Sequence, residues 1–359
     1  MTINIQEVLA SEGFRTAPHL KNRIVEAVKL FHAGISGADP FALARMQEAM
    51  STSDFPHLLG AGFQTSARDS YEETEPEWKA FAPVKIVKDF RPAKDIDLFG
   101  GRESFDQVEE GEEYKGRAIG EEAFEFSAFK FGNTFGLTWE MRKNNQYHDL
   151  LNFPSRFGSA ARATEDEWVF RQFIGASGPL ASFFGTVETA ALSHAALVAA
   201  YKTVVGRKTK DKKLIRLGGK PLNLIVPAHL EMEALEFVNE PKIVNGAIAK
   251  TNPLKGKFNV LVSEVAPDIA SSANGDTSWY ILPAKESKHA AVGKVTMTGE
   301  EGVDIRVRRD QGERPGGGAL GLEDGSYKDD TIDYRGRLVT GGAKLDTLGA
   351  YASNGTTNP

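Results

Sequence analysis

The chain has no cysteine, which excludes a disulfide framework, thiolate catalysis and any cysteine-based zinc site at once. It has no long apolar run either. One of the longest, Ala195-Ala-Leu-Val-Ala-Ala-Tyr201, falls far short of the roughly 20 residues a membrane-spanning helix needs. The start, Met1-Thr-Ile-Asn-Ile-Gln-Glu7, lacks the basic residues and apolar stretch of a secretory signal. The expectation is a product that stays in the cytoplasm where it is made. An excess of basic residues is missing too. A formal net charge of −6 argues against general nucleic-acid binding, which needs a basic face.

Catalytic signatures are equally scarce. The seven histidines are scattered between His19 and His289, with no pair at metal-ligand spacing. Gly316-Gly-Gly-Ala-Leu-Gly321 fits G-x-G-x-x-G, but Glu323-Asp-Gly-Ser follows where a helix must begin for a pyrophosphate to be held. Ser127-Ala-Phe-Lys130 fits S-x-x-K, yet it lies in an aromatic, alternating run that predicts a strand, which sends Ser127 and Lys130 to opposite faces. There is no G-x-S-x-G, Walker loop or H-E-x-x-H. No catalytic, cofactor-binding or metal-binding residue is expected. A soluble enzyme of unknown chemistry would require a deep pocket with a perturbed titratable group.

What is present is an ordinary globular composition, 41% apolar and 26% charged, in 359 residues, long enough for two or more domains. Leu20, Ile24, Val28 and Phe31 recur at helical steps. Asp39-Pro40 is a cap-and-first-turn signal for a second helix through Met50. From Ser51 to Pro83 the chain is turn-rich and aromatic, with Phe55, Tyr71, Trp78 and Phe81. Such rings suit docking on a partner surface, and a monomer could equally fold them inward.

Two charge features stand out. Between Glu103 and Glu125 there are nine acids, Glu109, Glu110, Glu112 and Glu113 among them, against Lys115 and Arg117. That much like charge predicts a hairpin or loop projecting into solvent. Between Lys202 and Lys220 there are eight bases, including Lys208, Lys210, Lys212 and Lys213, against Asp211 alone. This stretch reads as a solvated loop, as a docking site for the acidic loop of a neighbouring copy, or, with only Tyr201 available for stacking, as a nucleic-acid contact.

Regular elements are predicted elsewhere. One strand-like run covers Phe124–Phe131. A helix opens at Pro154 and stops at Gly175, and another covers about Thr189–Val204. Strands are expected at 222–226, 258–263, 279–282 and 303–308, with a helix opened by Pro227 and running to Val238. The tail Ala350–Pro359 is polar and reads as loose.

The order from Tyr71 to Gly175, aromatic arm, acidic glycine-rich loop, Phe124–Phe131 and long helix, resembles the major capsid proteins of tailed bacteriophages. So do the phrases Lys220-Pro-Leu-Asn-Leu-Ile-Val-Pro227, Asn252-Pro-Leu-Lys-Gly256 and Trp279-Tyr280, which are most similar to the Mu-like head-subunit group. The resemblance implies the α+β shell fold shared by tailed phages and herpesviruses. It implies an N-terminal helical region and arm over 1–83 and an extended two-stranded loop with flanking strands over 84–140. A spine helix of a peripheral domain would cover 141–180, an axial α/β domain 181–293, and C-terminal strands returning to the peripheral domain 294–349, before the tail 350–359.

The function implied is self-assembly as pentamers and hexamers into an icosahedral virion shell. It would enclose double-stranded DNA without sequence-specific binding, need no cofactor and touch no membrane. Scaffold and portal proteins would be partners, with decoration proteins a further candidate. Phe55, Tyr71, Trp78, the four loop glutamates and the four lysines named above are then the candidate inter-subunit contacts. The alternative on the same fold is an encapsulin-like cargo compartment.

Overall fold

The computed structural model describes residues 55–97, 108–112, 122–143, 147–209, 212, 214–215, 217, 219–245, 248–318, 320 and 324–357. The helices expected from Leu20 to Phe31 and from Asp39 to Met50 lie outside the described residues.

The segment read as an extended aromatic arm is instead helix α1, Phe55–Glu73. Phe63, Ala67 and Tyr71 fall four residues apart and are all buried, so one helical stripe reaches a core. An exposed Arg68–Glu72 ion pair at 2.9 Å supports the other side. A 3-10 turn, Glu77–Ala80, buries Trp78 and leads into strand β1, Val84–Val87.

Strand β2, Ala93–Asp97, pairs antiparallel with β3, Glu122–Phe126, in register from Ala93↔Phe126 to Asp97↔Glu122. The run expected as one strand over Phe124–Phe131 is therefore two. It breaks at Ser127-Ala128, and β4, Phe129–Leu137, follows.

After the short helix α2, Trp139–Lys143, the long helix α3 spans Tyr147–Phe170, with Pro154 inside it. It starts seven residues before the expected Pro154 and ends five before Gly175, which instead sits in the two-residue ladder of β5, Ile174–Gly175, with β6, Gly178–Pro179. Proline lacks the N–H that an interior helical position donates, so it signals a first turn in sequence. Here the carbonyl of the next residue, Ser155, accepts from the Ser70 hydroxyl at 2.8 Å.

Helix α4, Ala181–Phe184, and strand β7, Glu188–Ala190, precede α5, His194–Gly206. The start of α5 falls later than the expected Thr189 because Ser193 caps it, accepting from the Ala196 N–H at 3.2 Å. Strand β8, Leu222–Pro227, is followed by a 3-10 turn and α6, Glu231–Asn239. The hairpin β9, Lys242–Asn245, and β10, Ile248–Thr251, comes next. Then come β11, Phe258–Ser263, α7, Val265–Ile269, β12, Trp279–Leu282, and β13, Val292–Met297. Strands β14, Val303–Val307, and β15, Ile332–Lys344, precede the last strand.

That strand corrects the reading of the tail as loose. Tyr351–Thr357 forms β16, antiparallel to β12 through Trp279↔Ser353 and parallel to β7. Its polar residues are used inside: fully buried Ser353 donates to the Ala190 carbonyl at 2.6 Å.

The chain divides into two compact units. The first comprises the described parts of residues 1–75, 130–162 and 300–339. In it α1 crosses α3 at small residues. A Cβ on Gly158 would lie 2.2 Å from the Ala67 carbonyl oxygen, so only glycine permits this approach. The Arg162 guanidinium lies 3.6 Å over the Tyr71 ring and its Nε donates to the Tyr71 carbonyl at 2.7 Å. Tyr71, Ala161, Val303 and Leu338 share one core cluster, and Tyr334 stacks with Phe135 and meets Phe63 edge-on. In this unit β14 pairs with β15 from Val303↔Leu338 to Val307↔Tyr334.

The second unit comprises the described parts of residues 76–129, 163–299 and 340–359. Its main sheet has the order β11-β8-β12-β16-β7 and is covered on both faces. Alternation assigns each face. Ile225, Tyr280, Leu282 and Ala352 join Trp78, Phe81, Phe170, Phe173 and Phe183 in one cluster. Leu222, Leu224, Val226, Trp279, Ile281 and Tyr351 join Leu197, Ala200, Val204, Ala234 and Val238 in the other. Double burial explains why β8 reads as a continuous apolar run in sequence.

Candidate assembly surfaces

The acidic stretch lies between two paired strands. Strands β2 and β3 form the antiparallel base, tied across the pair by Lys94–Glu125 at 2.8 Å and to β1 by a Lys85–Asp95 ion pair. Within the intervening segment, Glu109 to Glu112 make a turn closed by the Glu112 N–H on the Glu109 carbonyl at 3.1 Å. Gly111 takes a φ of +84° there, a conformation that strains other residues. Glu109, Glu110 and Glu112 are exposed, so three carboxylates crowd one solvent-facing turn. Glu113 lies outside the described residues.

The basic stretch also forms a tight excursion. After α5 ends, Lys208 bridges Leu214 and the Ile215 N–H donates to the Arg207 carbonyl at 3.1 Å. The Lys212 N–H closes a turn on Thr209 at 2.9 Å, with Lys212 at a φ of +60°. Lys208 and Lys212 are exposed, and Lys210 and Lys213 lie outside the described residues. Arg207 does not belong to this exposed group. Its guanidinium donates to the Leu348 and Ala350 carbonyls, and burial lowers its pKa from the usual arginine value.

The aromatic candidates divide differently from expectation. Phe55 opens α1. Tyr71 and Trp78 are buried in the chain's own cores, which corrects their reading as inter-subunit anchors: a ring already packed in one subunit has no surface left for another. The exposed large apolar residues lie elsewhere, at Val84, Ile86, Phe90, Phe129, Trp139, Met232 and Tyr327 among others. Val84 and Ile86 project from one side of β1, which pairs only with β13 among the described residues. The signal available in sequence was the alternation in Val84-Lys-Ile-Val87.

Among the described residues no group of three or more His, Cys, Asp or Glu could hold a metal ion, and no helix is long and apolar enough to cross a membrane. Gly316 to Gly318 occupy an exposed turn, with Gly317 and Gly318 at positive φ. Three of the perturbed groups are raised by burial in the core. Burial pushes the Tyr351 phenol up to about 12 and raises the Tyr280 phenol further, and burial raises Asp166 to about 7.

Residues 121–353, well over half of the chain, match the sequence profile of the family described as phage capsid protein. The chain belongs to that family. It is an α+β shell subunit of a phage head, a structural protein whose place is the virion capsid. No curated protein sequence matches this capsid protein. Among solved structures it is similar to that of Gordonia phage Cozz, at 14% identity and a TM-score of 0.44, covering 76% of this chain and 84% of that one. It is similar also to the capsid of an empty GTA particle, at 12% identity and 0.46, covering 76% and 87%. The holo-SrpI encapsulin complex from Synechococcus elongatus shows 11% identity and 0.45, covering 79% and 88%.

Proposed function

We propose that this capsid protein assembles with copies of itself as pentamers and hexamers into an icosahedral head around double-stranded DNA, in the manner of the Mu-like group. The family match over 121–353 carries this reading. Scaffold and portal proteins would guide the assembly, with decoration proteins as further partners, and the protein itself would catalyse nothing. The division into loop (84–140), spine helix (141–180), axial domain (181–293) and returning strands (294–349) belongs to the same proposal.

Within the shell, the acidic turn at Glu109, Glu110 and Glu112 meets the basic excursion carrying Lys208 and Lys212 on a neighbouring copy. Opposite exposed patches steer association and fix register more than they add affinity. Glu113, Lys210, Lys213 and Phe55 are assigned to the same contacts.

Electron microscopy and sedimentation of the purified protein, alone and with its phage partners, test the reading. Shells, tubes or capsomer rings are expected, and particles made in the presence of the phage genome should contain DNA. Particles filled with a protein cargo instead would point to an encapsulin-like compartment. A subunit that never associates, even beside those partners, would overturn the proposal.

A further inference from the structure

In the second unit, four ionisable side chains converge where the turn Glu77–Ala80 meets the last turns of α3 and strand β13. Glu165, 1% exposed, pairs with Lys294, 8% exposed, at 2.9 Å. The Lys294 ammonium also lies 5.5 Å over the Trp78 ring. Asp166 is buried and accepts the Trp78 backbone N–H at 3.0 Å. Glu77 accepts the Glu264 N–H on one oxygen at 3.0 Å, and its other oxygen is buried with no hydrogen-bond partner. The Lys294 ammonium is engaged by Glu165, and Glu77 and Glu165 both repel a charge on Asp166. Ionising Asp166 beside them in a site partly closed to water is costly.

The segment above this cluster is held by core packing and by a series of backbone hydrogen bonds. Trp78, Phe81 and Ala82 fill the core cluster beneath it. Asn223 donates to the Ala80 carbonyl at 3.4 Å and the Lys294 N–H to the Pro83 carbonyl at 2.9 Å. The bond from Trp78 to Asp166 fastens its start.

We propose that Asp166 is a proton-binding site that latches residues 76–83 onto the subunit: the protonated carboxyl holds the segment closed, and loss of the proton opens it. A neutral Asp166 keeps a carbonyl oxygen for the Trp78 N–H and removes the repulsion from Glu77 and Glu165. An ionised Asp166 regains hydration only when the segment lifts. Desolvation is the main cause that raises Asp166 to about 7 from its ordinary 3.8, and Glu77 and Glu165 push the same way against the Trp78 N–H. The sign follows from proton linkage. Between the open-state and closed-state values the closed form binds the extra proton, so closing weakens as pH rises through that window and levels off above about 7. This inference stands on the subunit alone and does not depend on how copies assemble.

Hydrogen exchange by mass spectrometry on the full chain, at pH 5.5 and pH 8 with intrinsic exchange rates divided out, reads the opening of peptides over 76–83. Opening is expected to increase about 30-fold across that range, from the two pKa values linked as above. Asp166→Asn keeps the acceptor without the charge and should flatten the dependence. Should that variant fail to fold, Glu77→Gln carries the test: it removes one carboxylate that raises Asp166, so it should lower the closed-state pKa, reduce opening at pH 8 and shrink the pH response. A wild-type segment whose opening ignores pH overturns the latch. So does an unchanged pH response in Asp166→Asn, or in Glu77→Gln where only that variant folds.

Discussion

The ring of Phe157 occupies the space in which a side chain at Gly336 would stand. A Cβ built there lies 2.0 Å from Phe157 Cζ, so α3 and β15 approach each other in the first unit only because residue 336 has no side chain. Gly336→Ala should destabilise the subunit by about 1–3 kcal/mol through overpacking. Adding Phe157→Ala should return part of that loss, so the double variant costs less than the sum of the two single ones. Urea unfolding of all three variants checks this, and strict additivity would remove the steric explanation.

Lys294 pairs with buried Glu165 at 2.9 Å. Lys294→Met removes the buried ion pair from one side only and should cost about 3–5 kcal/mol. The paired change Glu165→Leu with Lys294→Met replaces both charges and should recover most of the stability. Thermal and urea unfolding of the single and double variants distinguish a needed ion pair from a needed volume.

The last strand should be indispensable. Ending the chain at Gly349 removes Ala350, Tyr351 and Ala352, which fill both core clusters of the second unit, and leaves the inner edges of β12 and β7 unpaired. The product is expected in the insoluble fraction. Ser353→Val is far milder, about 1 kcal/mol, because the Ala190 carbonyl keeps the Trp279 indole N–H at 3.0 Å.

Charge reversal tests the proposed contact between copies. Glu109→Lys, Glu110→Lys and Glu112→Lys together should abolish or misdirect shell formation while shifting subunit stability by no more than about 0.5 kcal/mol, since all three are exposed. Combining them with Lys208→Glu and Lys212→Glu should restore assembly. Electron microscopy of the two variants decides: shells in the triple variant, or none in the combined one, would reject the pairing.

The legible parts of this protein are those whose pattern is local. Leu222-Asn-Leu-Ile-Val226 announced a strand buried on both faces, and 258–263 and 279–282 were bounded as the structure has them, since each run of apolar residues is its own signal. The acidic excess from Glu103 to Glu125 predicted a solvent-facing loop because like charges cannot share a core, and in its described part Glu109, Glu110 and Glu112 are exposed. The candidate contacts were less legible. Tyr71 and Trp78 looked like anchors for a partner, and only their neighbours in space, Arg162 for one and Lys294 for the other, show that the subunit uses them itself. The latch at Asp166 had no signal at all, for Glu77, Glu165, Asp166 and Lys294 are brought together from distant parts of the chain.

The sequence by itself determined the class of the protein: no thiols, no long apolar run, an acidic excess between Glu103 and Glu125 and the residue order of a capsid subunit. The tertiary structure alone decided that Tyr351–Thr357 is an inner strand and that Pro154 lies within a helix. A polar tail gains its stability from backbone pairing with β12 and β7, and a proline is tolerated where packing outweighs one missing hydrogen bond. Both depend on partners remote in sequence, and no local propensity records them.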